Sequence, residues 1–298
     1  MSDWPIGLST GCFYRTDVFE VLEPIRDGGF SMLEISSAPR HLDFHDREVL
    51  ERLARRLHDL DLEVYSFHAP YGPSLDISSL DRAERWYAQQ EMLLAVEAAA
   101  RLNARWFVIH PGPESDARPS DAERMQRLRH AASVLVSIAE RCAEHGVGLC
   151  MENMLPHLLF GNASDTMWLL GALRHHDVGF CFDTGHAFLG RDVDGIVRSF
   201  AGRLRLVHAH DNHAERDDHL PPGEGRIDWT RLLERLHEVD FHGGLVLELS
   251  GDLGADPAEL LERARRARWR IRDGSRRLAR PAVRGRTDRP PEDSGSGR

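Results

Sequence analysis

Short apolar runs alternate with longer amphipathic ones along most of the chain. Runs rich in Val, Ile, Leu, Phe and Cys predict strands at 6–12, 31–36, 63–68, 106–110, 147–152, 178–183, 204–208 and 244–249. Between them, apolar positions recur at helical spacing over 17–28, 46–59, 80–102, 121–145, 164–174, 193–200, 229–239 and 257–273. Helix starts carry physical signals: Ser120 with Glu123 makes a capping box, and Asp256, Pro257 and Glu259 place a cap, a preset φ and a dipole-favoured acid in order. Eight strand-then-helix units predict a parallel sheet, and eight is also the number that closes a barrel. An open doubly wound sheet is the alternative. It wants a glycine-rich phosphate loop after the first strand, and Ser9-Thr10-Gly11-Cys12-Phe13 is not one. The expected fold is therefore α/β, a single (β/α)8 TIM barrel over 1–273. The remaining 274–298 is Arg, Pro, Gly, Ser and Asp with almost nothing apolar, and is expected to be a disordered basic tail.

Composition narrows the chemistry. The 298 residues suit one barrel plus a tail, and all 38 basic residues are arginine. Without lysine, a Schiff-base aldolase, a pyridoxal-phosphate enzyme and a P-loop are excluded. The net charge of −10 is an uneven average: residues 263–298 hold 13 arginines and four acids, so 1–262 carries −19. So acidic a body argues against nucleic acid and anionic membranes as partners. The tail reads as a solubilising segment or an arm for an anionic partner. Cys12, Cys142, Cys150 and Cys181 form no C-x-x-C pair and no disulfide framework. No secretory leader opens the sequence, and apolar stretches such as 131–139 are too short to span a bilayer, so a cytoplasmic location is expected. Trp4, Trp86, Trp168 and Trp229 are candidates for an oligomer interface, although tryptophan at helical spacing more often fills a core.

Six of the eight predicted strands close on a histidine or an acid: His68, His110, Glu152, Asp183, His208 and Glu248. In a barrel these ends converge on one face, where barrel enzymes keep their active sites. Alternation puts Glu152 in phase with Cys150 and Gly148, Asp183 with Cys181 and Gly179, Glu248 with Val246 and Gly244, and His68 with Ser66 and Val64. These positions face inward, with Cys150 and Cys181 as small fillers below the site. His186 follows Asp183 closely, and Asp217-Asp-His219 after the seventh strand adds two more groups. The result is five histidines and four carboxylates: His68, His110, Glu152, Asp183, His186, His208, Asp217, His219 and Glu248. A lone histidine at a strand end is usually a hydrogen-bonded core or loop residue. Six strand ends of the same chemistry, with no lysine to pair the acids, point to a metal site. Imidazole and carboxylate without thiolate suit Zn2+, Mn2+, Fe2+ or Co2+, from one to three ions. His210 and His213 are placed as supports near the site, and His41, His175 and His176 as surface residues.

These residues carry a resemblance. His68-Ala-Pro-Tyr71, His110-Pro-Gly112, Glu152-Asn153, Phe182-Asp-Thr-Gly-His186, His208-Ala-His-Asp211, Asp217-Asp-His219, Gly223-Glu-Gly225 and Leu247-Glu248 resemble the xylose isomerase-like TIM barrels. That family includes endonuclease IV and the sugar phosphate isomerases and epimerases. The likeness spans about Ile6 to Arg272.

The resemblance implies one of two activities. In the first, one divalent ion on Glu152, Asp183, His208 and Glu248 holds the carbonyl and adjacent hydroxyl of an open-chain sugar, keto-sugar or sugar phosphate. Glu152 and Glu248 then act as catalytic acid and base: one removes a proton to give a metal-stabilised enediolate and the other returns it, an isomerase or epimerase reaction. His186, Asn153, Arg226 and Tyr71 are candidates for substrate contact. In the second, all nine ligand types match the trinuclear zinc site of endonuclease IV-like phosphodiesterases, which act on abasic DNA, and a small phosphodiester is a further substrate class. Tyr71 matches a residue those enzymes use at DNA. The acidic body, and the acids outnumbering Arg118, Arg191, Arg216 and Arg226 in the strand-end loops, favour the isomerase or epimerase.

Overall fold

The computed structural model describes residues 4–250 and 256–278. Its strands are β1 Ile6–Ser9, β2 Met32–Ser36, β3 Glu63–His68, β4 Trp106–Ile109, β5 Gly148–Glu152, β6 Val178–Asp183, β7 Leu204–Ala209 and β8 Gly244–Leu247. They pair in parallel in sequence order, and β8 pairs with β1 to close the barrel. The helices are α1 Val18–Asp27, α2 Arg47–Asp59, α3 Arg82–Arg101, α4 Asp121–Glu144, α5 Ala163–Ala172, α6 Thr184–Leu189, α7 Val193–Phe200, α8 Trp229–Glu238 and α9 Pro257–Leu278. Closure through eight strands leaves the sheet no edge to protect.

Caps act where the sequence puts them. Ser120 Oγ accepts from Glu123 N–H, and Asp256 Oδ1 accepts from Ala258 N–H. Three elements differ from expectation. β1 ends at Ser9 because the Ser9 hydroxyl accepts from Gly11 N–H and caps a 3-10 turn over Thr10–Phe13. Helix α6 was not anticipated; it starts directly at the end of β6, capped by Asp183 Oδ1 on His186 N–H. Helix α9 runs to Leu278, past the expected end at 273, with Ile271 and Ser275 buried. The rest of the expected tail, 279–298, lies outside the described residues.

The core has two layers. Outward-facing strand residues such as Leu33, Ile35, Phe67, Phe107, Leu149, Phe180, Phe182, Leu245 and Leu247 are buried under the helices. Each such side chain contributes about 1.5–3 kcal/mol by leaving water. Inside the barrel, Met32, Tyr65, Val108, Cys150, Cys181, Leu206 and Val246 form a second cluster, a plug below the mouth. Most lie two residues before a functional group on the same strand, as alternation requires. Tyr65 breaks the pattern. The β2–β3 register passes from Leu33↔Val64 to Glu34↔Ser66, so β3 carries an extra residue. This bulge turns Tyr65 inward and sends Val64 to the outer layer, which corrects the expectation that Val64 shares the face of His68. The Tyr65 hydroxyl donates to Arg205 C=O at 3.2 Å and accepts from Gly244 N–H at 2.8 Å, tying β3 to β7 and β8 across the barrel.

Trp4 is core, whereas Trp86 and Trp168 are exposed at 61% and 37%. His41, expected at the surface, is buried, with Nδ1 at 2.6 Å from Thr16 C=O. No helix among the described residues is long and apolar enough to cross a membrane.

Candidate metal centre

Parallel strands deliver their C-terminal residues to one mouth, and all nine predicted groups meet there. His68 Nε2 and His110 Nε2 lie 3.4 and 3.5 Å from Glu152 Oε2. His208 Nδ1 lies 3.3 Å from the same oxygen and 3.1 Å from Glu248 Oε2. His186 Nε2 and His219 Nε2 lie 3.2 and 2.9 Å from Asp217 Oδ2. Three groups have ligand atoms within 4.8 Å of one another: His68, Glu152 and His208; Glu152, Asp183, His208 and Glu248; and His186, His210, Asp217 and His219.

The outer nitrogens show how the rings are aimed. His68 Nδ1 lies 2.9 Å from Ala69 C=O, His186 Nδ1 2.8 Å from Asn153 C=O, and His219 Nδ1 2.9 Å from Glu248 C=O. A carbonyl only accepts, so each Nδ1 carries a proton and Nε2 is the nitrogen turned to the carboxylates, the one that would release its proton to bind a cation. Metal-binding histidines are commonly held this way. Glu152 Oε2, His208 Nδ1, His110 Nδ1, His210 Nδ1 and Asp217 Oδ1 are buried without hydrogen-bond partners. Orphaned buried acceptors are costly, and a cation among them would satisfy several together. The donor set, nitrogen and oxygen without thiolate, fits a divalent transition metal.

Electrostatics agree. Burial works against charge on the His68 and His219 rings, but the Glu152 and Asp217 carboxylates outweigh it and lift both to about 9. Burial is likewise overcome at His186 and His208, which rise well above 6.5. Burial would raise Glu152, Glu248 and Asp217, yet the facing imidazoles hold all three below the ordinary carboxylate range. Opposed shifts in one cluster are characteristic of functional sites.

One group was missed, Glu34, and another, His210, sits as the support it was expected to be. Glu34, midway along β2, is buried and accepts from Ser9 Oγ, Ser66 Oγ and His208 Nε2. Its signal was an acid between Leu33 and Ile35 in phase with Ser36. His210 lies at 2.7 Å from Asp183 Oδ2 through Nε2 and stacks on His219 with centroids 3.9 Å apart, bracing two of the candidate ligands. Gly185 makes room for it, since a Cβ there would strike the His210 ring.

Two expected substrate contacts lie elsewhere. Both ends of the Asn153 amide are committed to the Asp183 backbone, at 3.0 and 2.8 Å, so it braces β6 from behind. Arg226 is exposed and its backbone N–H donates to Asn212 C=O; it does not line the cavity over Glu248. Tyr71 does, its ring 5.4 Å from those of His68 and His110. That cavity, of about 220 Å3, is lined by Ser9, Ser36, Tyr14, Glu34, Glu248 and Ser250 among others, and among the described residues by no arginine.

The loop carrying Asp217 and His219 is anchored by Asp211. Its carboxylate accepts from Gly223, Ile227 and Asn212 N–H and from Trp229 Nε1. Asp211 and Leu220 exchange both backbone hydrogen bonds, at 2.7 and 2.8 Å. Gly225 packs against the carboxylate where a Cβ would collide, which accounts for the Gly223-Glu-Gly225 motif.

A closed parallel barrel with acids and histidines gathered at its C-terminal mouth defines a class of protein, and comparison places the chain within it. Residues 22–270 match the family described as xylose isomerase-like TIM barrel, and the chain belongs to that family. It is 25% identical over 263 residues to the D-psicose 3-epimerase of Ruminiclostridium cellulolyticum, covering 82% of this chain and 83% of that one. The structure of D-psicose 3-epimerase with D-tagatose from Clostridium cellulolyticum H10 superimposes with a TM-score of 0.78 at 19% identity, over 92% of this chain and 99% of that one. The IolI protein with a bound zinc atom gives a TM-score of 0.76 at 16% identity, over 92% and 98%.

Proposed function

We propose that this protein is a divalent-metal-dependent epimerase of small, uncharged keto-sugars. The observation that carries the reading is the pair Glu152 and Glu248, both facing His208 Nδ1, with Glu248 lining a hydroxyl-bearing cavity of about 220 Å3. That volume is below the roughly 300–1,000 Å3 of drug-sized sites and suits a monosaccharide. A phosphorylated sugar calls for bidentate arginine, and no described residue lining the cavity is one. The epimerase relatives and the zinc atom in IolI support the same class.

Glu152, Asp183, His208 and Glu248 would hold the ion. A divalent ion there supplies Lewis acidity to a ketone carbonyl and its neighbouring hydroxyl. One glutamate takes the proton from the carbon beside the carbonyl, leaving a planar enediolate; the other returns a proton to the opposite face of that carbon. His208 holds both carboxylates below the ordinary range, so either can start as base. Its partner takes a proton from water before returning it to carbon, and the first glutamate gives its own to solvent, which is why exchange from D2O reports the reaction. The serine and tyrosine hydroxyls lining the cavity can bind the remaining sugar hydroxyls.

The test is exchange from D2O into the carbon next to the carbonyl of D-psicose, D-tagatose or D-fructose, with zinc- or manganese-loaded protein. Exchange lost on chelation and restored by metal is expected. Absence of exchange in all three would overturn the reading.

A second reading, a phosphodiesterase, draws on the separate group His186, His210, Asp217 and His219, which offers a place for a further ion. Multinuclear sites suit phosphodiester hydrolysis. Metal content separates the two: one ion per chain favours epimerisation, and three zinc ions favour hydrolysis.

A further inference from the structure

His208 is held differently from the three mouth histidines that rest on carbonyls. His68, His186 and His219 lean on peptide carbonyls, whereas His208 Nε2 lies 2.9 Å from a side chain, Glu34 Oε2. Both residues are fully buried. Glu34 is the Cα partner of Ser9 on β1 and of Ser66 on β3, so three inward positions of adjacent strands lie in one row. Ser9 Oγ donates to Oε1 at 3.0 Å, and Ser66 Oγ to Oε2 at 2.8 Å. The β3 bulge sets this row, because it brings Ser66 rather than Tyr65 level with Glu34.

A buried carboxylate with three donors is well satisfied and tightly fixed. It accepts and does not donate, so the His208 proton sits on Nε2. The other nitrogen, Nδ1, then faces Glu152 and Glu248 and has no hydrogen-bond partner. Nδ1 is thus the nitrogen placed between two carboxylate oxygens, where a cation that displaced its proton would gain all three as ligands.

We propose that Glu34 is a positioning residue: it fixes the orientation and tautomer of His208 so that Nδ1, not Nε2, is the nitrogen presented to the metal. Glu34 acts through His208. The assignment rests on reading the cluster as a metal site, and is independent of which sugar is turned over.

The experiment measures zinc affinity by chelator competition, with the 15N shifts of the His208 ring in the zinc-loaded protein. Glu34→Gln keeps the volume and can accept the same hydrogen bond without charge; Glu34→Ala removes it. We expect zinc affinity to fall about 10–100-fold in Glu34→Ala, the usual cost of losing such a support, and less in Glu34→Gln. The parent should show a metal-bound Nδ1 and a protonated Nε2, and Glu34→Ala should lose that signature while circular dichroism stays native. If Glu34→Ala fails to fold, Glu34→Met, which fills the space and offers no comparable acceptor, decides: affinity and shifts equal to the parent overturn the assignment. Parent-like affinity in a folded Glu34→Ala also overturns it. A parent that binds no zinc overturns the metal reading and this assignment with it. Zinc uptake without any epimerisation overturns the proposed reaction and leaves the assignment supported if Glu34→Ala loses affinity.

Discussion

Glu152 and Glu248 come from strands three apart in the barrel order and face one nitrogen, His208 Nδ1, at 3.3 and 3.1 Å. Each is a carboxylate of one strand end, and each is kept ionised by the same imidazole. If they share proton removal and return, Glu152→Gln and Glu248→Gln will each reduce exchange from D2O by at least about 10³-fold, in keeping with the size of general acid–base effects. Far-ultraviolet circular dichroism should be unchanged. Substantial exchange in either variant would refute the two-carboxylate relay.

The metal-free protein should have a defined pH optimum of stability. His68 and His219 titrate near 9 in the folded chain against an ordinary 6.5. Their protonation therefore stabilises the fold fully below pH 6.5, and that contribution is lost as pH rises through 9. Glu152, Glu248 and Asp217 are shifted the other way, so their contribution is full above about 4.5 and declines at lower pH. Chelator-treated protein should melt highest between about pH 4.5 and 6.5 and lose several degrees by pH 9.5. Zinc should reverse the alkaline trend, because it binds neutral rings and releases their protons. A melting temperature flat from pH 6 to 9.5 without metal would contradict the shifts.

Asp211→Ala removes the acceptor of four donors and frees the loop that holds Asp217 and His219. Hydrogen bonds to buried charged groups are worth about 1.5–3 kcal/mol each, so a loss of at least about 3 kcal/mol is expected in urea unfolding. Metal titration should show that ions held by Asp217 and His219 weaken first, with the Glu152 and Glu248 set keeping its affinity. Uniform weakening of every bound ion would count against separate groups.

Tyr65→Phe tests the tie across the barrel. It leaves the Gly244 N–H without its acceptor, at a cost of about 1–3 kcal/mol. Because Tyr65 lies in the plug below the mouth, zinc affinity should hold. Joint loss of stability and zinc affinity would mean that the plug and the site are mechanically linked.

The barrel was legible in the sequence because two physical periods were both present: apolar runs with inward acids, and amphipathic segments with caps at their starts. The site was legible at strand ends for the same reason, since an acid or histidine closing an apolar run has few places to go but the mouth. What escaped was set by pairing between strands. Nothing in the local sequence of β3 announces the bulge at Tyr65; it exists only in register with β2. Glu34 escaped because it sits inside a strand and not at its end. Asn153 reads as a functional amide from its place beside Glu152, yet its hydrogen bonds are spent on Asp183. Helix α6 is too short for periodicity to reveal.

The carbonyls behind His68, His186 and His219 have a consequence for how the site can drift in sequence. A peptide oxygen survives substitution of the residue that bears it, so those three rings stay aimed whatever happens to the side chains at Ala69, Asn153 and Glu248. His208 has no such insurance. Its aim depends on one side chain, which in turn leans on Ser9 and Ser66, so a change at any of three distant positions reaches the centre of the mouth. Mutational tolerance around this ring of imidazoles should therefore be lopsided, generous on the main-chain-braced side and narrow along the first three strands.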